Sequence, residues 1–286
     1  VGAGPAGLEC AHTLAKRGYD IVLAEKNKHA GGRVLLESQM PGLAEWKRVV
    51  DYRVNALQQM ANVTMYFDNK IASDDLLDLG FDNIFIATGA HWKGNGQSRL
   101  GRAKLKTDNT VKIFTPDDIM LGQMPHGKVL VYDLDNYYMA SVIAEKCQQF
   151  ACDVTYMTNA AKVSSWTDNT LEQLRIHKRL LSKQIRISLN QLITEISHNH
   201  IIHQEVYSGQ EIHAVYDAVV LVTERQPNDE LFTALKKHHF KHISLIGDAY
   251  APGLIAQAVH SGHLQARLFG EDNTNAANFY RDKGLY

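Results

Sequence analysis

The chain has 286 residues, of which 45% are apolar and 21% charged, and its 30 basic and 31 acidic side chains leave a net charge of −1. That length suggests about two domains of ordinary size, with apolar mass enough for a large buried core. A near-neutral chain has no global field to hold nucleic acid or an anionic membrane, and no apolar run approaches the ~20 residues of a membrane-spanning helix.

The opening residues, Val1-Gly2-Ala3-Gly4-Pro5-Ala6-Gly7, form a Gly-x-Gly-x-x-Gly motif. Alone the motif is weak, but its context strengthens it. Pro5 suits the first turn of a helix, where a missing N–H costs little. Leu8, Ala11, Leu14 and Ala15 recur at helical spacing, and Gly18 is a C-terminal stop. Ile21–Ala24 reads as a short strand, and Glu25 ends it, 21 residues after Gly4. This is the pattern of a dinucleotide-binding βαβ unit. Gly2 permits the tight turn. Gly4, with Pro5 and Ala6, brings the start of the helix against a pyrophosphate, where N–H groups and the helix dipole meet negative charge. Gly7 lets the helix sit close to the sheet. Glu25 accepts the hydroxyls of an adenosine ribose and repels a 2′-phosphate, which favours FAD, ADP or NAD over NADP; Lys26 is placed beside it in the cofactor set. The alternative is a glycine-rich turn that binds nothing. The strand before such a motif usually runs about five residues, and only Val1 stands there. The expectation is a sequence that starts within that strand and belongs to a longer polypeptide.

Gly31-Gly32-Arg33 follows, and the glycine pair lets the chain pass close to a cofactor; Gly32 and Arg33 are expected to touch it. Residues 43–61 read as a helix. Ile84–Ile86 is a buried strand leading into Ala87-Thr88-Gly89, a small-residue turn that brings backbone against the cofactor. Residues 93–110 are polar and glycine-rich and read as a loop or linker. A second βαβ pattern starts at Lys128–Tyr132, with a helix over 138–150 and a strand over 153–158. Where its glycines would fall stand Asp133, Asp135 and Tyr138, and no acid closes its second strand. Two carboxylates facing a pyrophosphate repel it, and a tyrosine crowds the helix–strand crossing. This unit has the shape of a dinucleotide domain without its chemistry.

A helix over 171–181 and short strands near 185–189, 193–196, 201–206 and 218–222 follow. A strand at Ile243–Ile246 runs into Gly247-Asp248-Ala249, and 254–269 is helical. Asp248, at a strand's C-terminal end, is placed to bind the ribityl hydroxyls of a flavin; the alternative is a cap on that helix. Residues after Gly270 read as a loose polar tail. The three cysteines, Cys10, Cys147 and Cys152, include no Cys-x-x-Cys. They cannot supply a redox dithiol of that type or a four-thiolate cluster, and they point to a reducing, cytoplasmic compartment. Among the 14 histidines, His198, His200 and His203, and His238, His239 and His242, lie close in sequence. They lack acidic or cysteine ligands at a recognised spacing, so no metal site is expected. Tyr137 and Tyr138 read as packing rather than a stacking platform, and Cys10 as core.

Together these features define an α/β protein with two Rossmann-like dinucleotide-binding domains, the second inserted in the first. The expected boundaries are 1–122 for the first part of the FAD/ADP-binding domain, 123–228 for the inserted module and 229–286 for the closing part. The motifs taken in order resemble those of flavoproteins with two dinucleotide-binding domains. Met40-Pro41-Gly42-Leu43-Ala44-Glu45-Trp46, Asp51-Tyr52-Arg53, Tyr137-Tyr138-Met139-Ala140, Glu145-Lys146 and Ile246–Ala249 look like the C-terminal half of the trimethylamine dehydrogenase family. Its members include histamine and dimethylamine dehydrogenases and 2,4-dienoyl-CoA reductase. The resemblance implies a flavin oxidoreductase acting on amines, with FMN on an N-terminal barrel and a four-iron cluster, neither within this chain. It implies FAD or ADP here, electron-transferring flavoprotein as a partner, room for a homodimer, and no amine oxidation by these residues alone. Asp133, Asp135, Tyr138 and Glu224 depart from the reductase pattern and favour the amine-dehydrogenase branch. The alternatives are an FAD- and NAD(P)H-dependent reductase of the dienoyl-CoA type and a structural ADP-binding module. No catalytic residue is assigned.

Overall fold

The computed structural model describes residues 1–99, 103–238 and 240–271; the expected tail from residue 272 on, and His239, lie outside them. The chain divides into two compact units. In chain order, the first unit begins with helix α1 (Pro5–Lys16), strand β1 (Ile21–Ala24), helix α2 (Arg48–Gln58), and strands β2 (Val63–Tyr66) and β3 (Asn83–Ile86). The second holds β4 (Lys112–Phe114), β5 (Lys128–Asp133), helix α3 (Met139–Gln149), β6 (Asp153–Thr158), helix α4 (Gln173–Ser182), β7 (Arg186–Ser188) and β8 (Ala218–Val222). The chain then returns to the first unit with β9 (His242–Leu245) and helix α5 (Ile255–Leu268).

In the second unit β4, β8, β5, β6 and β7 lie side by side in that order, all parallel. The sheet is buried on both faces, so β8 and most of β5 are continuously apolar. A second layer is the four-stranded sheet of Lys106–Thr107, Gln191–Ser197, His200–Glu205 and Glu211–Val215. Ile193, Ile196 and Ile201 from it pack with Leu130, Val219 and Leu221 from the parallel sheet. Glu211–Val215 alternates polar and apolar residues over 211–214 only, and Lys106–Thr107 is a two-residue strand inside the polar stretch, so neither stands out in the sequence.

In the first unit β1 pairs in parallel with β2, and β9 with β3. Leu8 and Ala11 of α1 pack with Leu23, Val50 and Leu57. On its other side α1 meets α5, where Gly262 sits so close that a Cβ would fall 2.1 Å from the Ala6 carbonyl oxygen. Arg17 closes this pair: its guanidinium donates to the carbonyls of Ala266 and, at 2.7 Å, Phe269, where a cation suits the helix's negative end.

The boundaries differ from the sequence expectation. The chain leaves the first unit after Ala90 rather than at 122, because β4 adds to the second sheet beside β8. Residues 36–45 also belong to the second unit, where Tyr138 donates to Glu37 at 3.3 Å. The chain re-enters the first unit at Pro227 rather than 229. The expected helix 43–61 is a 3₁₀ turn (Ala44–Lys47) followed by α2.

Gly262→Val forces α5 off α1 against backbone that cannot yield. Overpacking of this kind costs about 1–3 kcal/mol, and urea unfolding should show it as a lower midpoint at unchanged slope.

Candidate functional site: a glycine turn at a helix start

The turn before α1 is shaped by two glycines and opened by a third. Gly2 has φ +95°, and a Cβ there would lie 2.4 Å from the Ala87 carbonyl oxygen. At Gly7 a Cβ would lie 1.9 Å from the Gly2 carbonyl oxygen. At Gly4 nothing lies within 4 Å of the Cβ position. The protein's own packing thus demands Gly2 and Gly7, whereas Gly4 borders open space. Pro5 takes the first turn of α1, which carries no side-chain cap and no acidic residue in that turn. Its leading N–H groups and the positive end of its dipole are therefore available to an anion over Gly4. Gly32, at φ +53°, approaches the same place, its Cβ position 3.3 Å from the Gly4 Cα.

Glu25 directly follows β1 and is 5% exposed. Its Oε2 accepts from the Ala3 N–H at 2.8 Å, and its Oε1 accepts from the Asn27 N–H at 2.9 Å and from Asn27 Nδ2 at 2.7 Å. The carboxylate is thereby fixed beside the glycine turn. The sequence signal for Asn27 is an amide two residues after the acid. Lys26 is exposed.

Ala87 N–H donates to the Val1 carbonyl at 2.7 Å, which sets the next turn under Gly2. Thr88 Oγ1 donates to the Asn228 carbonyl at 2.5 Å, Asn228 Nδ2 donates to the Thr88 carbonyl at 3.1 Å, and Asn228 N–H donates to the Gly89 carbonyl at 2.9 Å. These groups tie the two ends of the insertion together. Gly89 has φ +76° and borders open space. Gly247, at φ +60°, presses on α1: a Cβ would lie 2.5 Å from that of Ala6. Asp248 pairs with Arg33 at 3.1 Å, with side chains 13% and 17% exposed, and accepts from the Gly253 N–H at 3.0 Å. It does not cap α5, where Gln257 Oε1 accepts the Leu254 N–H at 2.5 Å.

The second unit repeats the strand–turn–helix order with other contents. Asp133 does not face outward as the sequence suggested; it is fully buried. Its carboxylate accepts from the Asn136 N–H at 2.8 Å and from the Tyr156 hydroxyl. The Asp135 N–H donates to the Val222 carbonyl at 3.1 Å, and its carboxylate pairs with Arg99 at 3.1 Å. Asn136 has φ +60°, so the helical turn that would start here is unwound and α3 begins only at Met139. The turn at Ser164–Thr170 covers the place: Ser164 N–H donates to Tyr156 Oη at 2.9 Å, Trp166 N–H to the Asn136 carbonyl at 3.0 Å, and the Trp166 ring stacks on Tyr137 at 6.2 Å. The N–H groups of Asp135 and Asn136 are therefore taken by the protein itself. Tyr138 stands just before α3, and its hydroxyl donates to Glu37.

Burial pushes the thiols of Cys10 and Cys147 up to about 12 and that of Cys152 up as well, so none is a thiolate at neutral pH. Among the described residues, no group of three or more His, Cys, Asp and Glu is placed to hold a metal ion, and no helix is long and apolar enough to cross a membrane.

An inserted pair of Rossmann-type units, one with an open glycine turn and one with its turn closed, defines a nucleotide-binding α/β protein of the two-domain type. The chain belongs to the pyridine nucleotide-disulphide oxidoreductase family, which it matches over residues 1–262. It is 40% identical to histamine dehydrogenase from Rhizobium sp. 4-9, with a TM-score of 0.91 over 95% of this chain and 43% of that one. It is likewise 40% identical to 6-hydroxypseudooxynicotine amine oxidase from Pseudomonas geniculata N1, with a TM-score of 0.92 over 94% of this chain and 41% of that one. Dimethylamine dehydrogenase from Hyphomicrobium sp. (strain x) is 29% identical over 93% of this chain and 41% of its own length. The chain thus spans about two-fifths of the length of these relatives.

Burial raises Asp133 from 3.8 to about 7. A carboxyl that stays protonated in the folded state contributes stability that is fully present below the unfolded value and is lost as pH rises through the folded one. Stability should therefore fall between about pH 4 and pH 7, by at most about 1.4 kcal/mol per pH unit for one proton. Asp133→Asn, which keeps the acceptor, should flatten that slope in denaturant titrations across this range.

Proposed function

We propose that this chain is the adenine-nucleotide-binding portion of a larger flavin-dependent amine oxidoreductase. The observation that carries the reading is the open space over Gly4, faced by the uncapped start of α1, with Glu25 held beside it by Ala3 and Asn27. Donor N–H groups and a positive dipole fit a pyrophosphate, and a fixed carboxylate fits a ribose diol. Gly2, Gly4, Pro5, Ala6 and Gly7 form the phosphate cradle. Glu25 and Lys26 flank the ribose. Gly32, Ala87, Thr88 and Gly89 bring backbone along the nucleotide. The amine chemistry is supported by the relatives at 29–40% identity, two amine dehydrogenases and an amine oxidase.

The nucleotide is ADP or FAD. Asp248 pairs with Arg33 and accepts from Gly253, and like Glu25, whose oxygens also carry protein donors, it keeps acceptor capacity for a ribityl hydroxyl near Gly247. A flavin held there would accept electrons, whereas ADP would serve as an anchor. Amine oxidation belongs to a barrel with FMN and a four-iron cluster outside these residues, in a cytoplasmic enzyme that passes electrons to an electron-transferring flavoprotein. The second unit takes no NADH or NADPH, since its turn donors are spent on Asp133 and Val222.

Mass spectrometry of the supernatant from denatured protein should yield an adenine nucleotide and separate ADP from FAD. Glu25→Ala removes charge-assisted hydrogen bonds worth roughly 1.5–3 kcal/mol each, so calorimetry should show the nucleotide's Kd rising at least about tenfold; an unchanged Kd would move the ribose elsewhere. In a titration to millimolar NADH, no saturable chemical-shift change is expected over residues 128–158, and saturation there would favour the reductase reading.

A further inference from the structure

Past the end of β1 the chain is held by main-chain bonds to the residues that follow β2. The Glu25 N–H donates to the Tyr66 carbonyl at 2.8 Å, the Asn69 N–H to the Glu25 carbonyl at 2.9 Å, and the Asp68 N–H to the Asn27 carbonyl at 3.0 Å. Asp68 takes φ +54° in doing so. Residues 25 and 27 are therefore fixed by backbone before either side chain does anything. The Glu25 side chain points inward and is buried, whereas Asn27 is exposed.

A carboxylate has about four acceptor positions, two on each oxygen. At Glu25 these are filled unequally. Oε1 accepts twice from one residue, from the Asn27 N–H at 2.9 Å and from Asn27 Nδ2 at 2.7 Å. The amide must present its nitrogen there, because a carboxylate only accepts. Oε2 accepts once among the described residues, from the Ala3 N–H at 2.8 Å. One position remains, and it lies on the oxygen turned to the glycine turn. Ala3 directly precedes Gly4, where nothing lies within 4 Å of the Cβ position. A ribose whose phosphates lie over Gly4 therefore meets Oε2, while Oε1 is closed to it. Without the Asn27 amide each oxygen would keep one open position, and the pair could take both hydroxyls of the ribose.

We propose that Asn27 is a specificity-determining residue that acts through Glu25. By filling Oε1 with two donors it leaves Glu25 to read a single ribose hydroxyl, through Oε2. The other hydroxyl finds no acceptor on this carboxylate, so the site tells a 2′-deoxy nucleotide from a 3′-deoxy one. The proposal rests on the adenine-nucleotide reading of the glycine turn and adds to it which part of the ribose is recognised.

The full chain, freed of bound nucleotide, is titrated by calorimetry with ADP, 2′-deoxy-ADP and 3′-deoxy-ADP. One analogue should bind about tenfold or more weaker than ADP, and the other within about twofold of it. In Asn27→Ala the vacated position on Oε1 should open the second gap to about threefold or more. If Asn27 only held the loop, its removal would weaken all three nucleotides alike and leave their ratios unchanged, and that result would overturn the proposal. Equal losses for the two analogues in the unsubstituted chain would overturn it as well, as would no loss for either while Glu25→Ala weakens ADP. A Glu25→Ala chain that binds ADP as tightly as before would instead remove the ribose from this carboxylate, so that the underlying reading fails first and the proposal with it.

Discussion

The close seating of α1 is the constraint on which the first unit depends. The helix is pressed from three sides by contacts that admit no side chain: Gly7 over the Gly2 carbonyl, Gly247 against Ala6, and Gly262 over the Ala6 carbonyl. Each contact removes a Cβ so that backbone meets backbone or a small side chain. The result is a helix whose N-terminus is held rigidly over a turn, with Gly4 left open. Binding an anion at a helix start requires that the donors be fixed before the ligand arrives, and here packing alone fixes them.

Around that turn the polar groups fall into two sets. Glu25 is oriented by Ala3 and Asn27, while Asp248 is neutralised by Arg33. Thr88 and Gly89 are spent on Asn228, the first residues past the returning crossover. The backbone at the start of α1 stays open to a ligand, next to one held carboxylate. This division explains how a site can be chemically simple although many residues surround it.

In the second unit the same strand–turn–helix order is closed by the protein's own groups. Buried donors still need acceptors. Asp133 supplies one from within: its carboxylate takes the Asn136 N–H, and Tyr156 and Ser164 complete the network. Burial without a cation raises the proton affinity of that carboxyl, and the Tyr156 hydroxyl is pushed up too. An internal polar lock stands where the first unit has an open glycine turn. Its parallel sheet is unaffected, because β5, β6 and β8 are held by apolar packing on both faces.

Local pattern determined much of this protein. The glycine spacing, the helical repeat from Leu8 to Ala15 and the acid after Ile21–Ala24 specified the first βαβ unit, and Lys128–Thr158 specified the second, because helix and strand periodicity and turn chemistry act over a few residues. That Asp133, Asp135 and Tyr138 stand where the first unit has glycines is also legible in the sequence. Tertiary structure decided how they are accommodated: whether Asp133 points out or in depends on Tyr156 and Ser164, which are remote in sequence. It likewise decided that residues 36–45 and 91–122 join the second unit, that Asp248 is paired with Arg33, and that Asn27 and Asn228 hold the site. Such pairings are set by which strands lie side by side and by the need to satisfy each buried polar group, and neither leaves a periodic trace along the chain.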